Sequence, residues 1–372
     1  MEYRTLPHGG ESISVLGLGA GYIHTGGEKE TEQTVRLAVE NGINFFDMVA
    51  SEGVAFAPYG RALADCRARV YLQVHFGADY TRPGASYAWS TDLDTVKRSV
   101  DRQLTALGTD YIDFGFVHCI DTAEDLASSR ENGVIAYVQQ LKQQGVVRHI
   151  GLSTHTPALA NAALDSGLLD MLMFSINPAY DYGQDAHGDA ALEYAVGGAA
   201  ERAALYRRCE REGVGISVMK PFAGGRLLNA ALSPFGRALT EYQCLQYALD
   251  KPGVVTVLPG VRGTADLERL LGFLAAPPEA RDYAVVGGMA PQSAQGACVY
   301  CNHCQPCPAG LNVGLINKYY DLARAGDAVA RSHYAKLAVR ADACTGCGRC
   351  SARCPFRVDQ VARMAEIRDF MG

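Results

Sequence analysis

Before Cys298 the chain alternates short apolar runs with longer segments in which apolar residues recur every three or four positions. The short runs are "ISVLGLG", "INFFDM", "VYLQVHF", "IDFGFVH", "VRHIGLS", "MLMFSIN", "VGISVMK" and "VVTVLPG". Their length and their content of Val, Ile and Phe predict buried strands. The segments between them, such as "TEQTVRLAVENG", "TDLDTVKRSVDRQLTALG", "VIAYVQQLKQQG" and "TEYQCLQYALD", carry the helical period. Eight strands, each followed by a helix, over about 270 residues predict an α/β fold of the (β/α)8 barrel type. A doubly wound sheet is the weaker alternative, because "GLGAGY" lacks the GxGxxG spacing of a dinucleotide fingerprint.

In such a barrel, chemistry collects at the C-terminal ends of the strands. Those ends read Asp47, His75, His118, Ser153, Asn177 and Lys220, with His155 just beyond the fifth strand. One polar strand end marks a strand leaving the core, but six on one rim predict a site. A buried Asp–His pair can equally be a packing network.

The pattern changes at residue 298. "CVYCNHCQPCPAG" places Cys298, Cys301, Cys304 and Cys307 within ten positions, and "CTGCGRCSARCPF" adds Cys344, Cys347, Cys350 and Cys354. Together they hold eight of the chain's twelve cysteines, and each run closes with Cys-Pro. Cysteines at i, i+3 and i+6 can hold three corners of an iron–sulfur cube, the fourth thiolate coming from the other run, as in two-cluster ferredoxins. The expected wiring is Cys298, Cys301, Cys304 and Cys354 on one 4Fe-4S cluster, and Cys344, Cys347, Cys350 and Cys307 on a second. A zinc ribbon needs two Cys-x-x-Cys pairs rather than two triplets each with a trailing Cys-Pro. A disulfide framework needs a secreted chain, and "MEYRTLPHGG" has no basic segment followed by an apolar one. Cys66, Cys119, Cys209 and Cys244 are scattered and read as structural thiols.

With 372 residues, 48% of them hydrophobic, the chain has the material for a large domain and a small one, expected at 1–280 and 281–372. The formal net charge of −6 argues against nucleic acid as a partner. No apolar run is long enough to span a membrane. A cytoplasmic setting poor in oxygen is expected, because exposed clusters are oxygen-labile.

The words "YRTLPHGGESISVLGLGAG", "GINFFD", "LGTDYIDFGFVH", "VRHIGLSTH", "VMKPFAGGRLL" and "VLPGVRGTADLERL" resemble the aldo-keto reductases, in the bacterial branch that ends in a ferredoxin-like module. The resemblance covers nearly the whole chain. It implies a catalytic tetrad of Asp, Tyr, Lys and His acting with NAD(P)H: the tyrosine protonates the carbonyl, the lysine makes it a better acid, and the histidine orients the substrate. Asp47 and His118 fall on the family's Asp and His. The tyrosine is missing: Ser51 and Glu52 stand near its place, and Tyr59 lies on the next helix. The lysine is replaced by His75. Ser153 matches the residue that meets the nicotinamide amide, while the adenine side is reduced to Arg262 and Arg269 without the usual Glu-Asn pair. Asn177 is a plausible amide contact, and Lys220 could hold loops or a ligand.

Exchanging lysine for histidine alters the chemistry. An imidazole titrates near neutrality, so His75 could itself donate a proton where a lysine could only tune a neighbour. The sequence therefore predicts an iron–sulfur oxidoreductase acting on a small-molecule substrate, with Asp47, His75 and His118 as its proton-handling residues. Ferredoxin or another electron-transfer protein is a candidate partner. The alternatives are an NAD(P)H-dependent carbonyl reductase with a displaced acid, and a non-catalytic electron carrier.

Overall fold

The computed structural model describes all residues except 83–85, 183–196, 288–294 and 328. Every predicted apolar run contains a strand: β1 (Leu18–Gly19), β2 (Phe45–Asp47), β3 (Tyr71–Phe76), β4 (Ile112–Val117), β5 (Val147–Thr154), β6 (Met171–Ser175), β7 (Gly215–Met219) and β8 (Val254–Val257). They form one eight-stranded sheet in chain order. A parallel bridge between Leu16 and Val257 joins its two edges, with Gly17 N–H donating to Val257 O (2.9 Å) and Val257 N–H to Val15 O (2.9 Å). The sheet is thus a closed barrel.

The four helical patterns appear as helices Gly27–Glu40, Leu93–Leu107, Val134–Gln143 and Glu241–Leu249. Leu93–Leu107 shows why. Asp92 accepts the Thr95 N–H as N-cap, Gly108 closes the helix in the left-handed region, and Val96, Val100 and Leu107 bury one face. Two small hairpins escape the period reading: Tyr3–Thr5 with Ser12–Ser14, and Ala78–Asp79 with Ala88–Trp89. Strands of two or three residues carry no legible alternation.

By compactness the chain divides into two units. The first is Met1–Ile176, Gly213–Pro221 and Val255–Ala276, and the second is Asn177–Glu212, Phe222–Val254 and Pro277–Gly372. In the first, side chains two apart on a strand share a face, and Leu6, Phe45, Phe114, Phe116, Met171 and Met173 form the barrel's apolar interior. Gly151 is required there. A Cβ on it would lie 2.4 Å from the Phe116 ring, its partner across the β4–β5 pair. In the second, helices Val313–Arg324, Ala330–Ala335 and Gln360–Met371 enclose Leu311, Ile316, Tyr320, Tyr334, Met364 and Ile367. No helix among the described residues is long and apolar enough to cross a membrane.

Candidate active site and cluster sites

The two-residue period that fills the barrel also aims its polar groups. Phe45 and Asp47 on β2, Tyr71, Gln73 and His75 on β3, Phe114 and Phe116 on β4, and Gly151 and Ser153 on β5 occupy alternate positions. His118 follows β4 in the same phase. The apolar members pack below, and the polar ones meet near the C-terminal end.

They form a continuous chain. Asp47 Oδ1 lies 2.8 Å from His75 Nε2, His75 Nδ1 lies 3.1 Å from His118 Nδ1, and Ser153 Oγ lies 3.2 Å from the same His118 nitrogen. Gln73 holds the inner end: its amide donates to Asp47 Oδ1 (2.9 Å), and its carbonyl accepts from the Ser217 hydroxyl (3.0 Å). The His75 and His118 rings stand edge to face, centroids 4.9 Å apart. The backbone of His118 is pinned by the Trp89 indole, whose N–H donates to its carbonyl (2.8 Å).

His75 is fully enclosed, at 0% exposure, whereas His118 keeps 7%. Both nitrogens of His75 are engaged inside the barrel, so it reaches a substrate only through His118. Burial, and after it the neighbouring His75 and His155 imidazoles, hold His118 well below the usual histidine range.

The residues near the missing tyrosine serve other ends. The Ser51 hydroxyl donates to Gly21 O (2.6 Å), and Glu52 lies 4.0 Å from His24. Tyr59 packs edge-on against Phe46 and is wholly buried, and burial, then the Asp47 charge, pushes its phenol far up. It has no route to a substrate. Tyr80, also buried, pins the loop after β2: its hydroxyl donates to Ala50 O (2.8 Å). A phenol the sequence did not single out, Tyr87, stands with its ring 5.6 Å from that of His118 and stays 36% exposed.

The other predicted rim residues are dispersed. Asn177 is buried, and its carbonyl accepts the Tyr180 N–H (2.9 Å), an internal cap for the short helix Pro178–Tyr182. Lys220, half-buried, follows β7 in the left-handed region with φ 54°. Arg262 is exposed, and its N–H donates to Asp266 (3.1 Å). Ser153 is 2% exposed. Of the candidate nicotinamide contacts, Ser153 is thus committed to His118 and Asn177 to a helix cap, so this set fits the cofactor poorly.

A second polar group on the rim includes Cys119. Its thiol donates to Asp121 Oδ2 (3.2 Å), which also meets His155 Nδ1 (2.8 Å). Burial, then the Asp121 charge, raises the Cys119 thiol, against a smaller lowering by Lys220. Burial also pushes the Asp121 carboxyl up, but hydrogen bonds and charge from His155 outweigh it and hold it below the usual range. The sequence reading of Cys119 as structural missed this, because His155 reaches Cys119 and Asp121 only from the end of the neighbouring strand.

In the other unit, Cys298, Cys301, Cys304 and Cys354 line one pocket with Pro355, Phe356 and Gln360. Cys307 and Cys344 pack against the core that contains Cys350, and Cys347 is exposed. The two runs also share a backbone course. Tyr300 and Asn302 have positive φ at the second and fourth positions after Cys298, as Gly346 and Gly348 do after Cys344. Gly310 and Arg357, three residues beyond Cys307 and Cys354, repeat this, and each donates its N–H to that cysteine's carbonyl (2.9 and 3.1 Å). Asn312 and Asp359 then cap the following helices with their side chains. The non-glycine left-handed residues are tied down: Asn302 accepts the Gly314 N–H (2.8 Å), and Tyr300 donates to Asp321 (2.9 Å). Donors also reach the sulfurs, from Val358 N–H to Cys354 (3.4 Å) and from Gln360 to Cys298 (3.9 Å). Thiols converging with N–H donors at hand are the donor set that suits iron–sulfur clusters.

A closed (β/α)8 barrel bearing Asp47 and His118 at its rim, joined to this cysteine-rich module, defines the class. Residues 15–237 match the model of the aldo/keto reductase family, and residues 294–358 match that of the 4Fe-4S dicluster domain. The chain belongs to the aldo/keto reductase family, a family of oxidoreductases, and it carries an iron–sulfur domain. An uncharacterised oxidoreductase of Bacillus subtilis (strain 168) is 28% identical over 152 residues, 40% of this chain and 48% of the relative. L-galactose dehydrogenase of Arabidopsis thaliana is 30% identical over 163 residues, 41% and 48%. The chain thus spans about half the length of the curated relatives it matches. Among solved structures, the holo form of an aldo-keto reductase from Bacillus halodurans superposes with TM-score 0.60 at 21% identity, covering 78% of this chain and 97% of that one. An aldo-keto reductase from Klebsiella pneumoniae in complex with NADPH gives 0.56 at 17%, covering 78% and 96%. At these identities the likeness shows the fold alone.

Proposed function

We propose that the chain is an iron–sulfur oxidoreductase that exchanges electrons with a small-molecule substrate at the barrel mouth and delivers the accompanying proton through His118. The observation that carries this reading is the Asp47–His75–His118 chain, which stands at the positions matching the family's Asp, Lys and His, without the family's tyrosine. Two 4Fe-4S clusters, held by Cys298, Cys301, Cys304 and Cys354 and by Cys344, Cys347, Cys350 and Cys307, would supply one-electron chemistry.

The proton path follows from the distances. The His75 Nε2–H donates to the Asp47 carboxylate (2.8 Å). A proton on His75 Nδ1 is donated to His118 Nδ1 (3.1 Å), and the proton of neutral His118 then sits on Nε2, the nitrogen left for a substrate. When Nε2 gives up that proton, the one on His75 Nδ1 crosses to His118 Nδ1. His118 therefore acts as a donor without resting as a cation, in keeping with its lowered proton affinity. The exposed Cys347 favours the second cluster as the entry point for an external electron-transfer protein such as ferredoxin.

The second reading is direct reduction of a carbonyl by NAD(P)H. Family membership favours it; the internal commitments of Ser153 and Asn177 count against it. Anaerobic incubation with reduced ferredoxin and, separately, with NADPH separates the two. Reduction of a carbonyl substrate by ferredoxin alone is expected, and turnover with NADPH alone would establish the second reading. Purified under nitrogen, the protein should hold roughly eight iron per chain, falling to about four in Cys354→Ala with loss of the Cys298–Cys304 cluster. Loss of the other cluster would refute the cross-ligation.

A further inference from the structure

We infer that Cys119, Asp121 and His155 form a divalent-metal site of the zinc class on the barrel rim, beside the Asp47–His75–His118 chain. Cys119 Sγ, Asp121 Oδ2 and His155 Nδ1 make a triangle with edges of 3.2, 2.8 and 3.9 Å. In a tetrahedral zinc site, bonds of about 2.0–2.3 Å place neighbouring donor atoms about 3.4–3.6 Å apart. Each edge therefore has to change by roughly half an ångström, within the reach of side-chain torsions.

The connectivity separates this group from a nucleophilic Cys–His–Asp chain. There the thiol and the carboxylate occupy opposite nitrogens of the imidazole. Here both meet Nδ1, so three donors converge on one point instead of forming a line. The carboxylate is also oriented from behind. Its Oδ1 accepts the Thr154 hydroxyl (3.1 Å) and the His155 backbone N–H (2.7 Å), which turns Oδ2 toward the triangle. Outer hydrogen bonds of this kind fix the ligands of metal centres.

The donor set decides the ion. One sulfur, one imidazole nitrogen and one carboxylate oxygen suit zinc, whereas magnesium and calcium take oxygen throughout. The His155 side chain is 7% exposed and that of Asp121 30%, so the fourth position opens toward solvent, where water or a substrate oxygen fits. A Lewis acid there would polarise the oxygen that His118 protonates. That role rests on the function proposed above; the metal site itself does not.

The test uses the full chain with its clusters loaded, kept anaerobic, and zinc ion as the probe. Titration calorimetry and metal analysis should find one zinc per chain with the iron content unchanged. Cys119→Ser, Asp121→Asn and His155→Gln should each weaken binding by at least ~10-fold, the usual lower effect of perturbing a metal site. Iron content and thermal melting verify that each variant is folded, and three independent substitutions guard against one failing to fold. X-ray absorption at the zinc edge should show one sulfur among nitrogen and oxygen neighbours. No zinc bound by the parent protein, equal binding by all three variants, or an all-sulfur shell from zinc in a cluster site would each overturn the assignment.

Discussion

His118 and His149 lie in one barrel at opposite ends of adjacent strands, both nearly buried, and the protein treats them oppositely. His118 meets a second imidazole and shares one carboxylate with it, through His75. His149, stacked on Phe114, sits between Glu11 (2.8 Å) and Asp170 (3.6 Å). Burial discourages charge on both rings. At His149 that burial is outweighed by the facing carboxylates of Asp170 and Glu11, so its affinity for a proton is raised. At His118 burial prevails and its imidazole neighbours add to it. At equal exposure, the carboxylates facing a buried histidine decide whether burial prevails. The end with two carboxylates for one ring suits stability, and the end with two rings for one carboxylate is the one proposed above to move a proton.

The strongest way to break this comparison is to exchange the two histidines' effects. His118→Gln should lower turnover by ~10²–10⁴-fold with clusters and fold intact, the usual worth of a positioned acid, while His149→Gln should leave turnover nearly unchanged. Steady-state rates on the first substrate identified decide it, and equal losses would end the distinction. Asp47→Asn should reduce the rate less, by about 10-fold, because the imidazoles remain in place.

Stability should separate the pair by sign. A raised proton affinity in the fold means that His149 stabilises fully below the unfolded histidine value near 6.5, and that this is lost as pH rises through its folded value. His149→Gln should therefore cost ~1.5–3 kcal/mol near pH 6, typical of hydrogen bonds to charged groups, with the deficit shrinking at higher pH. His118 works the other way: its lowered affinity destabilises the fold as pH falls below about 6.5. His118→Gln should thus recover melting temperature on the acid side. Denaturation of both variants between pH 5.5 and 8.5 checks the two slopes. The smallest effect is expected for Glu11→Gln, which leaves Asp170 in place and should cost ~1 kcal/mol at pH 6.

Much of this was legible in the sequence because it depends on local pattern. Eight apolar runs gave eight strands, and Asp47, His75, His118 and Ser153 converge because strand alternation places them inward together. The cysteine runs announced their chemistry by spacing. Other things were not legible. The hairpin that brings Trp89 and Tyr87 against His118 has strands of two residues, too short to show a period. Asn177 and Lys220 read as rim groups, yet Asn177 caps a helix and Lys220 enters a left-handed turn, neither of which a strand-end reading contains.

By itself, then, the sequence determined the strand count, the inward phase of each polar strand end and the ligand type of the cysteine module, since each depends on residues near one another in the chain. Only the tertiary structure decided which imidazole is inner and which outer, and that His155 shares a point with Cys119 and Asp121. Those depend on groups brought together from distant positions, where burial and the number of opposing charges, rather than residue identity, set what each side chain can do.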